Sequence, residues 1–157
     1  MFYKFTQAIE IFKGLLTPII AILALYIAWQ QWQTNRQKLV LEKYDRMLHI
    51  YEEIKKIISI ILVHTNPSIQ DLGKFKISVS EADFLFGSEI TEYIDEIYKR
   101  GFNLCRCNGE YRDYEQEKPE GYDHKKIVDE RKKELIWFTE QFKNVKEKFK
   151  KYLDLSK

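Results

Sequence analysis

This chain of 157 residues has few of the residues that staple or break up a fold: two cysteines, three prolines and six glycines. Its two cysteines, Cys105 and Cys107, are separated by one residue, so a bond between them would constrain almost no chain. This excludes a disulfide framework of the kind found in small exported proteins. The prolines fall at a predicted helix start (Pro18), a predicted helix end (Pro67) and a predicted loop (Pro119).

An excess of one charge is also missing. The whole chain carries a formal net charge of +2, so bulk nucleic-acid binding is not expected. The sequence contains no Gly-rich phosphate loop, no G-x-S-x-G and no H-E-x-x-H motif. We therefore predict no catalytic residue, no cofactor and no enzymatic activity.

Metal ligands are sparse as well. Cys105 and Cys107, even with His64 or His124, lack the C-x2-4-C spacing that zinc sites use. His49 and Glu52 make one i, i+3 pair, whereas di-metal helical bundles need such pairs on two helices. The sequence predicts no metal site.

One feature stands out among what is present: the run Gly14–Trp29 has no charge and a single polar side chain, Thr17. Extended to Trp32 it is about 28 Å of helix, close to the roughly 30 Å of bilayer hydrocarbon. The run is apolar on every face, unlike a surface helix. These properties predict a transmembrane helix over residues 14–32; a buried helix of a globular protein and a cleaved signal peptide are the alternatives.

Flanking residues predict how that helix would sit. Lys4 and Lys13 precede it, while a larger cluster follows it, namely Arg36, Lys38, Lys43 and Arg46. The positive-inside rule then places the C-terminal part in the cytoplasm. Lipid is thus a predicted partner, and the residues expected at the membrane interface are Tyr26, Trp29, Trp32, Arg36 and Lys38.

The first thirteen residues have an amphipathic pattern. Phe2, Phe5, Ile9 and Phe12 recur at 3-4-3 spacing, which predicts an interfacial helix over residues 1–13. Thr17 and Pro18 would then be the N-cap and first residue of the spanning helix. A single continuous helix from residue 3 is the alternative.

Residues 33–157 predict a cytoplasmic helical domain. No proline or glycine interrupts residues 33–38, so the spanning helix should continue into the first cytoplasmic helix. Apolar periodicity, caps and turn signals predict four helices, at about residues 33–65, 68–86, 88–108 and 123–153. The predicted fold class is all-α: one N-terminal transmembrane helix continuing into a bundle of about four helices.

The last predicted helix has the most regular heptad pattern, with apolar residues at 3-4-3-4-3 spacing: Leu135, Phe138, Phe142, Val145, Phe149 and Tyr152. A bundle core face is the favoured interpretation, because tight two-stranded coils prefer Leu, Ile and Val to Phe. A parallel coiled coil between copies is the alternative.

Charges cluster in two blocks. Residues 81–96 carry six acidic side chains and no base, and the opposite sign dominates near the C-terminus, at Lys143, Lys146, Lys148, Lys150 and Lys151. Both blocks can be solvated helix faces. The functional interpretation makes the five lysines a surface for a protein or nucleotide partner.

Two stretches carry a resemblance: residues 26–39 (YIAWQQWQTNRQKL) followed by 44–46 (YDR), and residues 84–90 (FLFGSEI) followed by 93–95 (YID). They resemble a set of small bacterial single-span membrane proteins of unassigned function. The resemblance covers nearly the whole chain and implies an N-terminal anchor in the bacterial inner (plasma) membrane. It implies no activity.

Together these features predict a non-enzymatic, membrane-anchored interaction or signalling protein that self-associates through its helices. The alternative is a sensor-gated, membrane-disrupting effector of the antiviral or toxin type, whose cytoplasmic domain binds a ligand or partner.

Overall fold

The computed structural model describes the backbone of residues 2–113 and 115–154, and the side chains of residues 14, 16, 18–113 and 115–154. Within these ranges all regular structure is helical, which confirms the all-α class. The helices are α1 (Phe2–His64), α2 (Ile69–Ser78), α3 (Ala82–Leu85), α4 (Ser88–Glu110) and α5 (His124–Leu153).

Helix α1 is continuous through the predicted junction at residues 33–38, where no helix breaker occurs. Pro18 lies inside it, so the prediction of a helix that starts at Pro18 behind a Thr17 cap is wrong, and the alternative of one continuous helix holds. A proline inside a helix removes one backbone donor, and α1 continues on both sides of it. The predicted amphipathic face of residues 1–13 lies outside the described side chains.

The prediction of a transmembrane helix is wrong. Among the described residues, no helix combines the length and the apolarity that crossing a bilayer requires. Within α1, Gln30, Gln31 and the polar residues 33–38 follow the apolar run, and polar side chains do not extend a membrane-spanning segment. The predicted single-pass insertion in a bacterial inner membrane is corrected with it.

The chain divides into two compact units, Met1–Lys43 and Tyr44–Lys157. The second unit contains the hydrophobic core, to which α1 contributes a stripe at helical spacing: Ile50, Ile54, Ile57, Ile58 and Ile61. The ring centroid of Phe149 on α5 lies 5.4 Å from that of Tyr51 and 5.3 Å from that of Phe86. A helical bundle is therefore present, as predicted.

The segment predicted as one helix over residues 68–86 is two helices. Ser68 caps α2 through a capping box: its hydroxyl accepts from the Asp71 amide, and the Asp71 carboxylate accepts from the Ser68 amide. Helix α2 ends at Ser78, and the one-turn helix α3 follows a turn. The alternating run at residues 74–80 is a poor helix pattern, and the chain turns within it.

Helix α4 begins at Ser88, with Gly87 at the N-cap position and no side-chain cap. Helix α4 ends at Glu110 and α5 begins at His124, which agrees with the predicted loop between them. Asp123 caps α5, because its carboxylate accepts a hydrogen bond from the Lys126 amide.

The predicted inner face of α5 is partly wrong. Phe138, Val145 and Phe149 are buried as expected, but Phe142 is 49% exposed. The buried stripe instead follows Glu134, Phe138, Gln141, Val145 and Phe149. A straight helix has 3.6 residues per turn, so burial along α5 drifts away from a strict heptad.

Helices α2 and α4 approach closely at Gly101. A Cβ built on this buried glycine would lie 2.7 Å from Cδ2 of Leu72, which is itself buried. The missing side chain therefore lets the two helices pack against each other at this point.

Candidate interaction surfaces

The first unit carries the most unusual surface of the described chain, an apolar stretch of α1 that has no cover. We call it the apolar segment; its described large members are 51–71% exposed: Leu16, Ile19, Ile20, Ile22, Leu23, Leu25, Tyr26, Ile27, Trp29 and Trp32. Isolated exposed leucines are common on proteins, but a contiguous apolar surface of this kind typically marks an interaction site.

The apolar segment has no polar side facing away from a core. Ile22 and Leu23 are consecutive, about 100° apart around the helix, and both are more than half exposed. Apolar side chains also continue beyond the polar residues 33–38, at Leu39, Val40 and Leu41. The segment therefore offers several apolar faces to a partner.

The residues predicted to sit at a membrane interface lie together on this part of α1. The rings of Tyr26 and Trp29 are 6.4 Å apart, and the Arg36 guanidinium lies 5.7 Å from the ring centroid of Trp32. Such a cation–π contact holds the arginine side chain along the helix. Lys38 is exposed. The predicted role of these residues at a membrane interface depended on the transmembrane helix, which the described residues do not form.

The five lysines of the predicted partner surface have different environments. Lys151 pairs with Glu89, and Lys148 places its Nζ 4.8 Å from the ring centroid of Tyr93. The Nζ of Lys150 is 4.0 Å from a carboxylate oxygen of Glu147. Lys143 and Lys146 are exposed. The surface available to a partner is therefore centred on Lys143 and Lys146.

The basic and acidic blocks meet at one point, the Lys151–Glu89 pair. Its hydrogen bond lowers the pKa of Glu89 and raises the pKa of Lys151. Other acidic residues pair elsewhere: Glu81 with Arg46 at 3.1 Å, Asp95 with Lys76, and Glu96 with Arg100. The acidic block is thus largely used within the bundle.

A buried polar cluster between α4 and α5 was missed at the sequence level. Arg100 donates to Glu134 at 2.9 Å, Asn103 donates to the other oxygen of Glu134 at 2.8 Å, and the Arg100 guanidinium lies 4.6 Å from the Trp137 ring centroid. Glu134 is only 7% exposed. Its place four residues before Phe138 was the available signal, because that spacing puts it on the buried stripe.

An open cleft of about 580 Å³ lies between the end of α4, the 111–123 loop and the start of α5. Arg106 points toward it, but two carboxylates hold it, Glu110 and Glu130, each at 2.8 Å. The hydrogen bond to Glu130, and after it the one to Glu110, raises the pKa of Arg106. The hydrogen bond from Arg106 lowers the pKa of Glu130. The positive charge of the guanidinium is therefore already balanced by two carboxylates of the protein.

The cysteines are structural in this setting. Cys105 donates from Sγ to the carbonyl of Pro67 at 2.8 Å, and Cys107 is fully buried. Burial raises the pKa of both thiols, which opposes thiolate formation. Within the described part of the chain, no three His, Cys, Asp or Glu side chains come together as metal ligands.

Comparison of the chain with protein-family models, with curated proteins and with solved structures finds no match. The resemblance of residues 26–39 and 84–95 to small bacterial single-span proteins stays a prediction.

Proposed function

We propose that this chain is a non-enzymatic interaction protein that self-associates through the apolar segment of α1. The observation that carries the proposal is the exposure of ten large apolar side chains between Leu16 and Trp32. Removing apolar surface from water is worth about 25 cal/mol per Å², so uncovered side chains of this kind favour association strongly. Patches larger than a few hundred Å² usually mark protein interaction sites.

The second unit supports a separation of roles. Its buried apolar residues form one core in which α1, α2, α4 and α5 all take part, and its ion pairs are mostly internal. It therefore needs no partner to cover its core, whereas the apolar segment does. The absence of catalytic motifs from the sequence also favours an interaction protein over an enzyme.

Sedimentation velocity of the full-length protein over a hundredfold concentration range tests the proposal. We expect the wild type to be oligomeric, and Ile22→Glu to shift the equilibrium toward monomer, because it places a charge in the associating surface. Phe84→Glu is the control: Phe84 is 89% exposed but lies on α3, so this variant should associate like the wild type. A wild type that stays monomeric throughout would contradict the proposal.

A second candidate function is the binding of an acidic protein at Lys143 and Lys146. The two lysines are exposed on α5, and half-exposed Phe142 lies beside them. The test is an NMR titration with a polyglutamate peptide, comparing the wild type with Lys143→Gln/Lys146→Gln. Chemical-shift changes centred on residues 142–146 that disappear in the variant are expected; shifts elsewhere, or none, would refute this candidate.

A further inference from the structure

One line of side chains on the apolar segment has the spacing of a coiled-coil seam. Ile22, Leu25, Trp29, Trp32 and Leu39 follow 3-4-3-7 spacing, and Arg36 occupies the position between the last two. Each of the five is more than half exposed. A heptad seam needs apolar residues at alternating steps of three and four, which keeps them facing one partner helix.

The size of this seam suits a second copy of the same helix. From Ile22 to Leu39 it extends about 26 Å. Its five side chains expose on the order of 600 Å² per copy, and flanking residues such as Tyr26 and Val40 bring the total near the ~800 Å² per partner of a stable interface. Two copies of one seam are also self-complementary, as a two-fold dimer requires.

Arg36 decides the direction of pairing. In a parallel pair each residue faces its own copy, so two Arg36 guanidinium groups would meet in one layer of the seam. In an antiparallel pair centred between Trp29 and Trp32, Arg36 faces Leu25 of the second copy. The two arginines are then about 16 Å apart along the axis, beyond the Debye length of about 8 Å at physiological salt.

The antiparallel arrangement also uses the contacts that α1 already makes. Arg36 keeps its cation–π contact with Trp32, and its aliphatic stem can cover Leu25 of the second copy while its charge stays in water. Trp29 of each copy then faces Trp32 of the other, and Ile22 faces Leu39. Each large apolar residue of the seam thus meets another side chain with an apolar surface.

We propose that two copies of this chain pair antiparallel along this seam of α1, with Trp29 and Trp32 at the centre. The inference rests on the proposed self-association and adds its surface, its partner and its direction.

The test uses full-length variants and sedimentation equilibrium. In the antiparallel pair, Leu25→Lys faces Arg36 and should raise Kd at least 100-fold, whereas Leu25→Glu faces the same arginine and should be at least 10-fold less damaging. In a parallel pair both variants bring like charges together and should be equally damaging. Leu25→Lys/Arg36→Glu should recover most of the affinity only if the pair is antiparallel.

Leu23→Lys is the matched control for Leu25→Lys. Leu23 is also a leucine, is 54% exposed, and lies about 200° from Leu25 around the helix. We expect its Kd to stay within 3-fold of the wild type. Equal damage from Leu23→Lys and Leu25→Lys would overturn the seam, and equal damage from Leu25→Lys and Leu25→Glu would overturn its direction. Both results would leave self-association intact.

A wild type that is monomeric at every concentration would instead refute the proposed function itself. Co-sedimentation of that monomer with phosphatidylcholine vesicles would assign the apolar segment to lipid and overturn the dimer as well. Far-UV circular dichroism at each stage checks that the helix content of the variants is unchanged.

Discussion

Ile58 and Ile22 belong to the same helix, yet Ile58 is fully buried and Ile22 is 66% exposed. The second unit surrounds Ile58 with side chains from the other helices, whereas the described side chains of the first unit leave most of Ile22 exposed. The comparison separates what an apolar residue does for folding from what it offers to a partner. The second unit uses its apolar stripe on α1 to fold, whereas the apolar segment of the first unit stays exposed.

The largest expected difference between the two units is in the free energy of unfolding when an isoleucine is replaced in each. Ile58→Ala should lower the free energy of unfolding by about 2–5 kcal/mol, because it leaves a cavity in the core. Ile22→Ala should change it by less than about 0.5 kcal/mol, as surface substitutions usually do. Urea unfolding followed by circular dichroism measures both, at protein concentrations below the Kd of the proposed dimer so that lost association does not add to the Ile22→Ala value. Similar losses would then show that Ile22 is covered within the monomer.

The buried polar cluster extends the comparison to charges. Glu134→Ala leaves Asn103 without its partner and Arg100 with Glu96 as its remaining ion-pair partner. It should cost about 2–3 kcal/mol, less than a fully buried pair because Arg100 is partly exposed. The control Glu147→Ala removes an exposed partner of Lys150 and should leave the urea midpoint nearly unchanged. Equal effects would mean that the Glu134 contacts contribute nothing to stability.

Two glycines allow a smaller test of packing. Gly101→Ala places a methyl group against Leu72, and its expected cost of about 1–3 kcal/mol is offset by up to about 1 kcal/mol of helix propensity. Gly73→Ala meets nothing within 4 Å and should stabilise α2 by about 0.5–1 kcal/mol. Thermal melting of both variants should therefore give shifts of opposite sign, and an upward shift in both would refute the close approach at Gly101.

The smallest expected effect is a pH dependence at the start of α2. Hydrogen bonds from Ser68 lower the pKa of Asp71 below its usual 3.8. A lowered carboxylate pKa stabilises the fold above that usual value, and the contribution disappears as the pH falls through the lowered pKa. NMR titration of the Asp71 carboxyl from pH 6 to pH 2 measures it; Ser68→Ala should move the midpoint back up, and an unchanged midpoint would contradict the capping box.

Local signals predicted much of the second unit. The helix predicted over residues 33–65, its end at Pro67 and the loop before Asp123 depend on periodicity and breakers, which short stretches of sequence contain. The α2–α3 break and the shifted face of α5 were missed. Burial there depends on which neighbour lies opposite each turn, and the heptad pattern does not contain that information.

The apolar run near the N-terminus teaches the opposite lesson. Its composition predicted a transmembrane helix, which the structure does not support among the described residues. Composition determines that exposing these side chains to water costs free energy, but it does not determine whether lipid, another chain or the same chain covers them. Spacing from Phe138 could have placed Glu134 on the buried stripe, but it could not identify Arg100 and Asn103 as the partners of its carboxylate.

The sequence by itself determined that the chain is helical, that α1 continues past residue 33, and that an apolar surface and a lysine surface exist, because these follow from local propensity and pattern. Only the tertiary structure decided which isoleucines of α1 are buried, that Lys151 reaches Glu89, and that Glu134 and Arg100 share a buried cluster. Those facts depend on contacts between residues far apart in the chain, and their free energy exists only when the helices pack together.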